Sequence, residues 1–470
     1  MKRFRLNLSA NTLQLFSNQL FSLLTFYVLS RSLSKQDFGE LNWTLAVFLL
    51  TFTLASCGFD QIVIRKAAEG KGLKHLLSLH SFHVLLTGFV IYLILLLTTL
   101  LFPAFHSAHP LLLLLGLGKL LLFLSTPFKA IASGSERFWL LLWMSVGSAV
   151  LKGLCLLLLF ITHQLTLSAV ILTFVLADAV EMLLSVLIFA KFFQFPRRLY
   201  MNRKDYLIFF KAALPQVGVV VLAAAITRMD WILIGLFSSP DRLAEYSFAY
   251  KAFEISTLPL LVVAPLLVPW FTRLRRTATP LWHHPQVQFM LRAEIMVACL
   301  TALCLNLLWN PFVDAITDGQ YGAANTRTIL ILSMALPVMY LNNFLWSLHF
   351  AEGNLKIILH SFVLCFSLNV VGNLLLLPLY GNEGAAVAYL LSILVQTIYY
   401  AGKTEAFTGN FLALAACAAC AFTSGYLTPM FTANTIMLLV CGSAIYVVLL
   451  VFTVQIRQKD WKLFLKTVAG

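Results

Sequence analysis

Ser81-Phe82-His83-Val84-Leu85-Leu86-Thr87-Gly88-Phe89-Val90-Ile91-Tyr92-Leu93-Ile94-Leu95-Leu96-Leu97-Thr98-Thr99-Leu100-Leu101-Phe102 contains no Asp, Glu, Lys or Arg. As an α-helix rising ~1.5 Å per residue, a run of this length crosses the ~30 Å hydrocarbon core of a bilayer. Apolar windows of the same kind recur on both sides of it, separated by short polar or Gly/Pro-containing stretches. The expected segments are 9–29, 41–63, 81–102, 111–132, 138–161, 165–190, 208–236, 246–271, 289–312, 328–350, 357–378, 384–402, 411–427 and 434–455.

The composition agrees with that reading. Of 470 residues, 60% are hydrophobic and 11% charged, with mean hydropathy +0.88. Soluble domains carry ~25% charged residues, so an ordinary globular enzyme is excluded. The expectation is an all-α polytopic membrane protein with about 14 transmembrane helices. The net charge of +14 does not call for nucleic acid, because no soluble basic face exists to bind it. It reads as a topology signal instead. With both termini cytoplasmic, the outer loops carry Arg31, Lys35, Arg242 and Arg327, and four cations (Lys119, Lys152, Arg228, Lys251) stand out within the expected segments, away from their inner ends. All other Lys and Arg fall on the inner side, the asymmetry expected of positive-inside topology.

Two internal similarities divide the chain. Ser34-Lys35-Gln36-Asp37-Phe38-Gly39-Glu40-Leu41 aligns with Ser239-Pro240-Asp241-Arg242-Leu243-Ala244-Glu245-Tyr246, and Ser148-Ala149-Val150-Leu151-Lys152-Gly153 aligns with Ser367-Leu368-Asn369-Val370-Val371-Gly372. Two pseudo-symmetric six-helix lobes give this order, a transporter's organisation. The expected divisions are an N-lobe at 1–195, a C-lobe at 196–405, and two additional C-terminal helices with a cytoplasmic tail at 406–470.

Eight ionisable residues stand out among those within the expected segments: Lys119, Lys152, Arg228 and Lys251 against Asp178, Glu181, Asp230 and Glu254. A charge at bilayer depth costs ~2.5–3.5 kcal/mol on insertion scales, so each needs a wet cavity or a partner. One reading is a cationic cavity for a phosphate-bearing substrate. The other is a pair of structural bridges, Arg228–Glu254 and Lys251–Asp230. Lys119 and Lys152 have no obvious acid nearby in sequence and favour the cavity. Asp178 and Glu181, three residues apart, share a helix face. They suit either coupling to H+ or Na+, or a bridge to Lys152 or to a base at the rim. Asn11, Gln14 and Asn18 form a polar stripe suited to sugar hydroxyls or to interhelical hydrogen bonds.

Pro259, Pro265 and Pro269 predict a kinked or broken eighth segment. Cys417 and Cys420 have C-x-x-C spacing but lie in a small-residue run, which reads as close helix packing. His75, His80, His83, His283 and His284 lack an acidic ligand at metal spacing, and no metal or cofactor is expected. There is no G-x-S-x-G, P-loop or H-E-x-x-H motif, so enzymatic activity is not expected.

Several stretches resemble one family. Leu29-Ser30-Arg31-Ser32-Leu33-Ser34-Lys35-Gln36-Asp37-Phe38-Gly39-Glu40-Leu41 is similar to the signature after the first helix of bacterial polysaccharide exporters. Cys57-Gly58-Phe59 with Arg65 and Ala67 resembles its continuation. Ala213-Leu214-Pro215, Asp230-Trp231-Ile232-Leu233-Ile234-Gly235 and Glu245–Lys251 fit the start of the second half. Pro378-Leu379-Tyr380-Gly381-Asn382-Glu383-Gly384-Ala385-Ala386-Val387-Ala388 is the most specific match. The chain thus resembles the O-antigen flippase (Wzx-like) polysaccharide transporters of the multidrug/oligosaccharidyl-lipid/polysaccharide exporter superfamily. One departure is Trp231, where family members often carry a basic residue after the Asp.

The resemblance implies an alternating-access flippase in the bacterial plasma (inner) membrane. It would move an undecaprenyl-pyrophosphate-linked oligosaccharide from the cytoplasmic to the outer leaflet. Arg228, Lys251, Lys119 and Lys152 would then engage the pyrophosphate or an acidic sugar, with Arg31 and Arg65 at the rims. Asn11, Gln14 and Asn18 would meet the sugar, and Asp178, Glu181, Asp230 and Glu254 would be the ion-coupling candidates. The partners would be the lipid-linked substrate, membrane lipids and a polymerase or ligase of the same pathway. Alternatives are a multidrug/cation antiporter of the same superfamily and, less favoured because no long external loop is present, a membrane polymerase or ligase.

Overall fold

A computed structural model describes residues 2–70, 72–101, 109–193, 202–274, 282, 284–404 and 411–455. Those residues are helical apart from short turns, and they form two compact units, Met1–Arg228 and Met229–Gly470. Eleven helices among the described residues are long and apolar enough to cross a membrane.

The first unit contains α1 (Lys2–Ser32), α2 (Lys35–Ser56), α3 (Phe59–Ala68), α4 (Leu73–Leu101), α5 (His109–Leu124), α6 (Thr126–Gly134), α7 (Phe138–Ile161) and α8 (Leu167–Phe192). It ends within α9 (Arg203–Phe237). α4, which holds Ser81–Leu101, points much of its apolar surface outward: Phe89 is 65% exposed and Leu100 67%. Large apolar side chains facing outward along whole helices are a liability in water and the norm against lipid. The expected segment 41–63 is divided. Cys57 and Gly58 take left-handed backbone angles (φ 47° and 68°), ending α2 and starting α3 in a new direction. Segment 111–132 likewise divides at Ser125, just before Pro127. The core joins Val63, Leu77, Phe128, Ile131, Leu140, Met144 and Phe189. Gly134 lets α6 lie directly on α3, since a Cβ there would collide with the Ile64 carbonyl and Ala67.

The second unit continues with α10 (Pro240–Ile255), α11 (Leu258–Leu274), α12 (Pro285–Thr317), α13 (Thr326–Glu352), α14 (Leu355–Lys403), α15 (Phe411–Phe431) and α16 (Thr435–Phe452). The expected segment 246–271 is broken at Ser256–Thr257, immediately ahead of the proline-rich stretch. α14 carries two expected segments in one run, interrupted at Gly381, whose backbone (φ 57°, ψ −135°) is non-helical. A side chain at Gly384 would collide with the Leu376 carbonyl, and Asn382 Nδ2 donates to the Arg242 carbonyl at 2.9 Å. The motif at 378–388 is therefore a tight change of direction pinned to the start of α10.

The first internal similarity has a local cause. Ser34 and Ser239 are both N-caps, accepting through Oγ from the backbone N–H three residues on, at 3.1 Å from Asp37 and 3.3 Å from Arg242. Cys417 and Cys420 are buried beside Cys299 and Tyr446, packing α15 against α12 and α16, and all eight cysteines are free thiols.

Candidate functional site

In the first unit, four elements bring charged side chains together at membrane depth. α5 approaches α8 closely because Gly118 has no side chain: a Cβ there would stand 3.1 Å from Val175 Cα. That contact sets Lys119 against Asp178, with Nζ 2.6 Å from Oδ2. One turn along α8, Glu181 accepts from both Lys129 of α6 and Ser148 of α7. Lys152 of α7 lies over the Phe174 ring at 4.8 Å, and the Lys119 ammonium stands 5.7 Å from the same ring. Such contacts place a cation on the negative face of the ring.

This arrangement corrects one expectation: Lys119 does have an acid, Asp178, supplied across the α5–α8 contact. Of the two bridges open to Glu181, the structure has the one to a base near the segment end, Lys129, and not the one to Lys152. Lys152 pairs with no carboxylate among the described residues. Three ammonium groups against two carboxylates leave the cluster with a net positive charge. Lys129 and Ser148 were absent from the sequence-derived candidates. Their signal is the need of Glu181 for partners, but which residues meet it depends on how α6, α7 and α8 pack.

In the second unit, Asp230 of α9 is almost fully buried. It accepts from Tyr246 Oη of α10 and from Asn373 Nδ2 of α14, both at 2.8 Å. Asn373 also donates to the Asn369 carbonyl. The Lys251–Asp230 bridge, one of the two readings open for these residues, is not formed: neutral donors hold Asp230, and Lys251 pairs with Glu254 one turn away at 2.9 Å. At the end of the first unit, Arg228 is half-buried, and its guanidinium donates to the Thr227 carbonyl at 3.0 Å.

The remaining candidates are spread more widely. Arg31 is half-buried at the end of α1 and Arg65 is exposed on α3. Gln14 donates to Ser145 of α7 at 3.2 Å, the interhelical alternative for the polar stripe, and Asn18 is half-buried. The side chain of Asn11 lies outside the described residues, as does His283. No group of three or more His, Cys, Asp or Glu suited to a metal occurs among the described residues.

Two further features belong to the chemistry. A cavity of about 810 Å³ opens between α12, α13 and α15. Its lining is apolar, including Met334, Phe422 and Tyr426, with Asn306, Asn310 and Ser333 as polar members. The second feature is a polar cluster around the turn between α2 and α3. There Ser56 donates to Asp60, His80 Nε2 stands 3.0 Å from Asp60 Oδ1, and His83 contacts Tyr206 Oη and the Ala55 carbonyl, each at 2.9 Å. Burial alone would push the Asp60 carboxyl up, but His80 and Ser56 outweigh it and hold it below the usual carboxylate range.

The profile of the family described as "Polysaccharide biosynthesis protein" matches residues 5–275. No curated protein matches the chain by sequence. Among solved structures, the lipid II flippase MurJ in an inward closed conformation is similar at TM-score 0.75 and 15% identity, over 94% of this chain and 98% of that one. An inward-facing multidrug resistance MATE family transporter of the MOP superfamily is similar at TM-score 0.66 and 12% identity, over 85% and 99%. A point mutant of the Vibrio cholerae MATE transporter VcmN is similar at TM-score 0.58 and 14% identity, over 87% and 98%. At these identities the likeness is one of fold. The chain belongs to the polysaccharide biosynthesis protein family and has the all-helical fold of the MurJ and MATE transporters.

Proposed function

We propose that the protein is a flippase for a lipid-linked oligosaccharide, carrying an undecaprenyl-pyrophosphate-linked repeat unit from the cytoplasmic to the outer leaflet of the bacterial plasma membrane. The observation that carries this reading is Lys152. It is a cation at membrane depth, held over Phe174 without a carboxylate among the described residues, in a cluster where every acid already has a base. A net positive charge in this cluster suits an anionic headgroup.

The other parts fit the same cargo. The apolar cavity between α12, α13 and α15 suits a hydrocarbon chain, with Asn306, Asn310 and Ser333 as its few polar groups. Arg228, Lys251, Arg31 and Arg65 belong to the proposal as further phosphate contacts, and Asn11, Gln14 and Asn18 as sugar contacts. The three-part division at 195 and 405 and the cytoplasmic termini belong to it as well. So do a polymerase or ligase as partner, and coupling to H+ or Na+ through Asp178, Glu181, Asp230 or Glu254.

Deletion of the gene, followed by mass spectrometry of the lipid-linked intermediates, tests it. Build-up of undecaprenyl-linked glycan, reversed by the wild-type gene and only weakly by Lys152→Gln, is expected. Unchanged intermediates would overturn the reading.

A further inference from the structure

Glu294 takes no part in either charged cluster. It lies on α12, nine residues after Pro285, about 13 Å along the helix from its start. It is 5% exposed, and neither carboxylate oxygen has a hydrogen-bond partner among the described residues. One turn along the same face, Ala298 packs with Leu260 of α11 and Tyr340 of α13, and Tyr340 is within electrostatic reach of the carboxylate.

Among the described residues, the elements packed against α12 bring no counter-charge to Glu294. α15 and α16 contain no charged residue. The charges of α13 stand near its ends, at Arg327, His349 and Glu352, and that of α11 is Arg273 in its last turn. Of the other titratable groups, Cys417 and Cys420 of α15 lie with Cys299, and Tyr446 of α16 donates to the Met296 carbonyl. Arg292 is two residues away, on another side of the helix. An ionised carboxylate in such surroundings costs several kcal/mol.

From this placement we infer that Glu294 is a proton-binding site, occupied in the described conformation and emptied when α11 and α13 separate enough from α12 to admit water. The ligand is a proton, not a metal cation. A hard cation takes several oxygen ligands, and the surroundings of Ala298 offer the Tyr340 hydroxyl. The step balances simply: a proton from the aqueous phase joins the carboxylate, and it leaves to water when the site opens. Resting on the carrier reading above, this ties one protonation to one conformation of the transport cycle.

The first test needs no substrate. The full-length protein in vesicles is treated with an apolar carbodiimide, which modifies protonated carboxyls, from about pH 6 to about pH 9, well above the ordinary glutamate range. Peptide mass spectrometry then locates the modified residue. Modification of Glu294 throughout that range is expected, and its absence across the range would overturn the site. The second test imposes a pH gradient on vesicles translocating a lipid-linked oligosaccharide. The wild-type rate should follow the gradient, and Glu294→Gln, isosteric with the protonated form, should lose that dependence. A gradient-independent wild type, or a Glu294→Gln variant that still follows the gradient, would overturn the coupling. Vesicles that carry no oligosaccharide at all but still show the modification would strike the flippase reading alone.

Discussion

Lys119 and Asp178 show what a paired charge does inside a membrane protein. Either residue alone would be an uncompensated ion, and their 2.6 Å contact replaces the lost hydration. Lys119→Ala should therefore lower stability by about 3–5 kcal/mol by leaving the Asp178 carboxylate buried without its base. The double variant Lys119→Leu/Asp178→Leu should recover most of the loss, measured as melting temperature in detergent. Asp60 gives a pH prediction. Its carboxyl is held below the ordinary range, so its contribution to stability is complete above that range and is lost as pH falls through the folded-state value. The melting-temperature difference between wild type and Asp60→Asn should be largest near neutral pH and shrink in acid. A difference that grew in acid would contradict the His80–Asp60 pairing. The eight charges singled out within the expected segments were readable from sequence because they interrupt apolar runs. Lys129 and Glu294 escaped because each lies near the end of an expected segment, where a charge is usually within reach of the interface. α12 begins before its expected segment, and this places Glu294 inside.

Among the elements, the breaks matter more than the spans. Periodicity and length place the long helices, but the turn at Cys57–Gly58, the step at Ser125 and the interruption at Gly381 depend on backbone angles and close approach. Gly381 occupies a positive-φ, extended conformation used almost only by glycine, which costs other residues about 1–3 kcal/mol. Gly381→Ala should lower stability by roughly that amount, whereas Gly384→Val should cost more, because it collides with the Leu376 carbonyl. The capping serines offer a matched pair. Ser34→Ala and Ser239→Ala should each cost about 1 kcal/mol, as both remove the same kind of N-cap bond. A thermal-shift series on the four variants checks the order. These repeats were visible in sequence as similar strings, but their physical meaning was not visible until both serines were seen capping helices.

For the whole molecule, composition and charge placement already dictated a helical membrane protein, because lipid excludes unsatisfied backbone and unpaired charge. Which charges face one another was not legible. That depends on α5 lying against α8 through Gly118 and on α6 and α7 converging on Glu181. The central claim is that these helices move an anionic, lipid-linked sugar between leaflets. Its most direct test is the purified protein in vesicles with a lipid-linked oligosaccharide, followed by the rate at which the sugar becomes accessible to an impermeant oxidant outside. The account predicts rapid exposure with the wild type and at least about a tenfold slower rate with Lys152→Gln, the loss of one charge-assisted contact. Exposure no faster than in protein-free vesicles would contradict it.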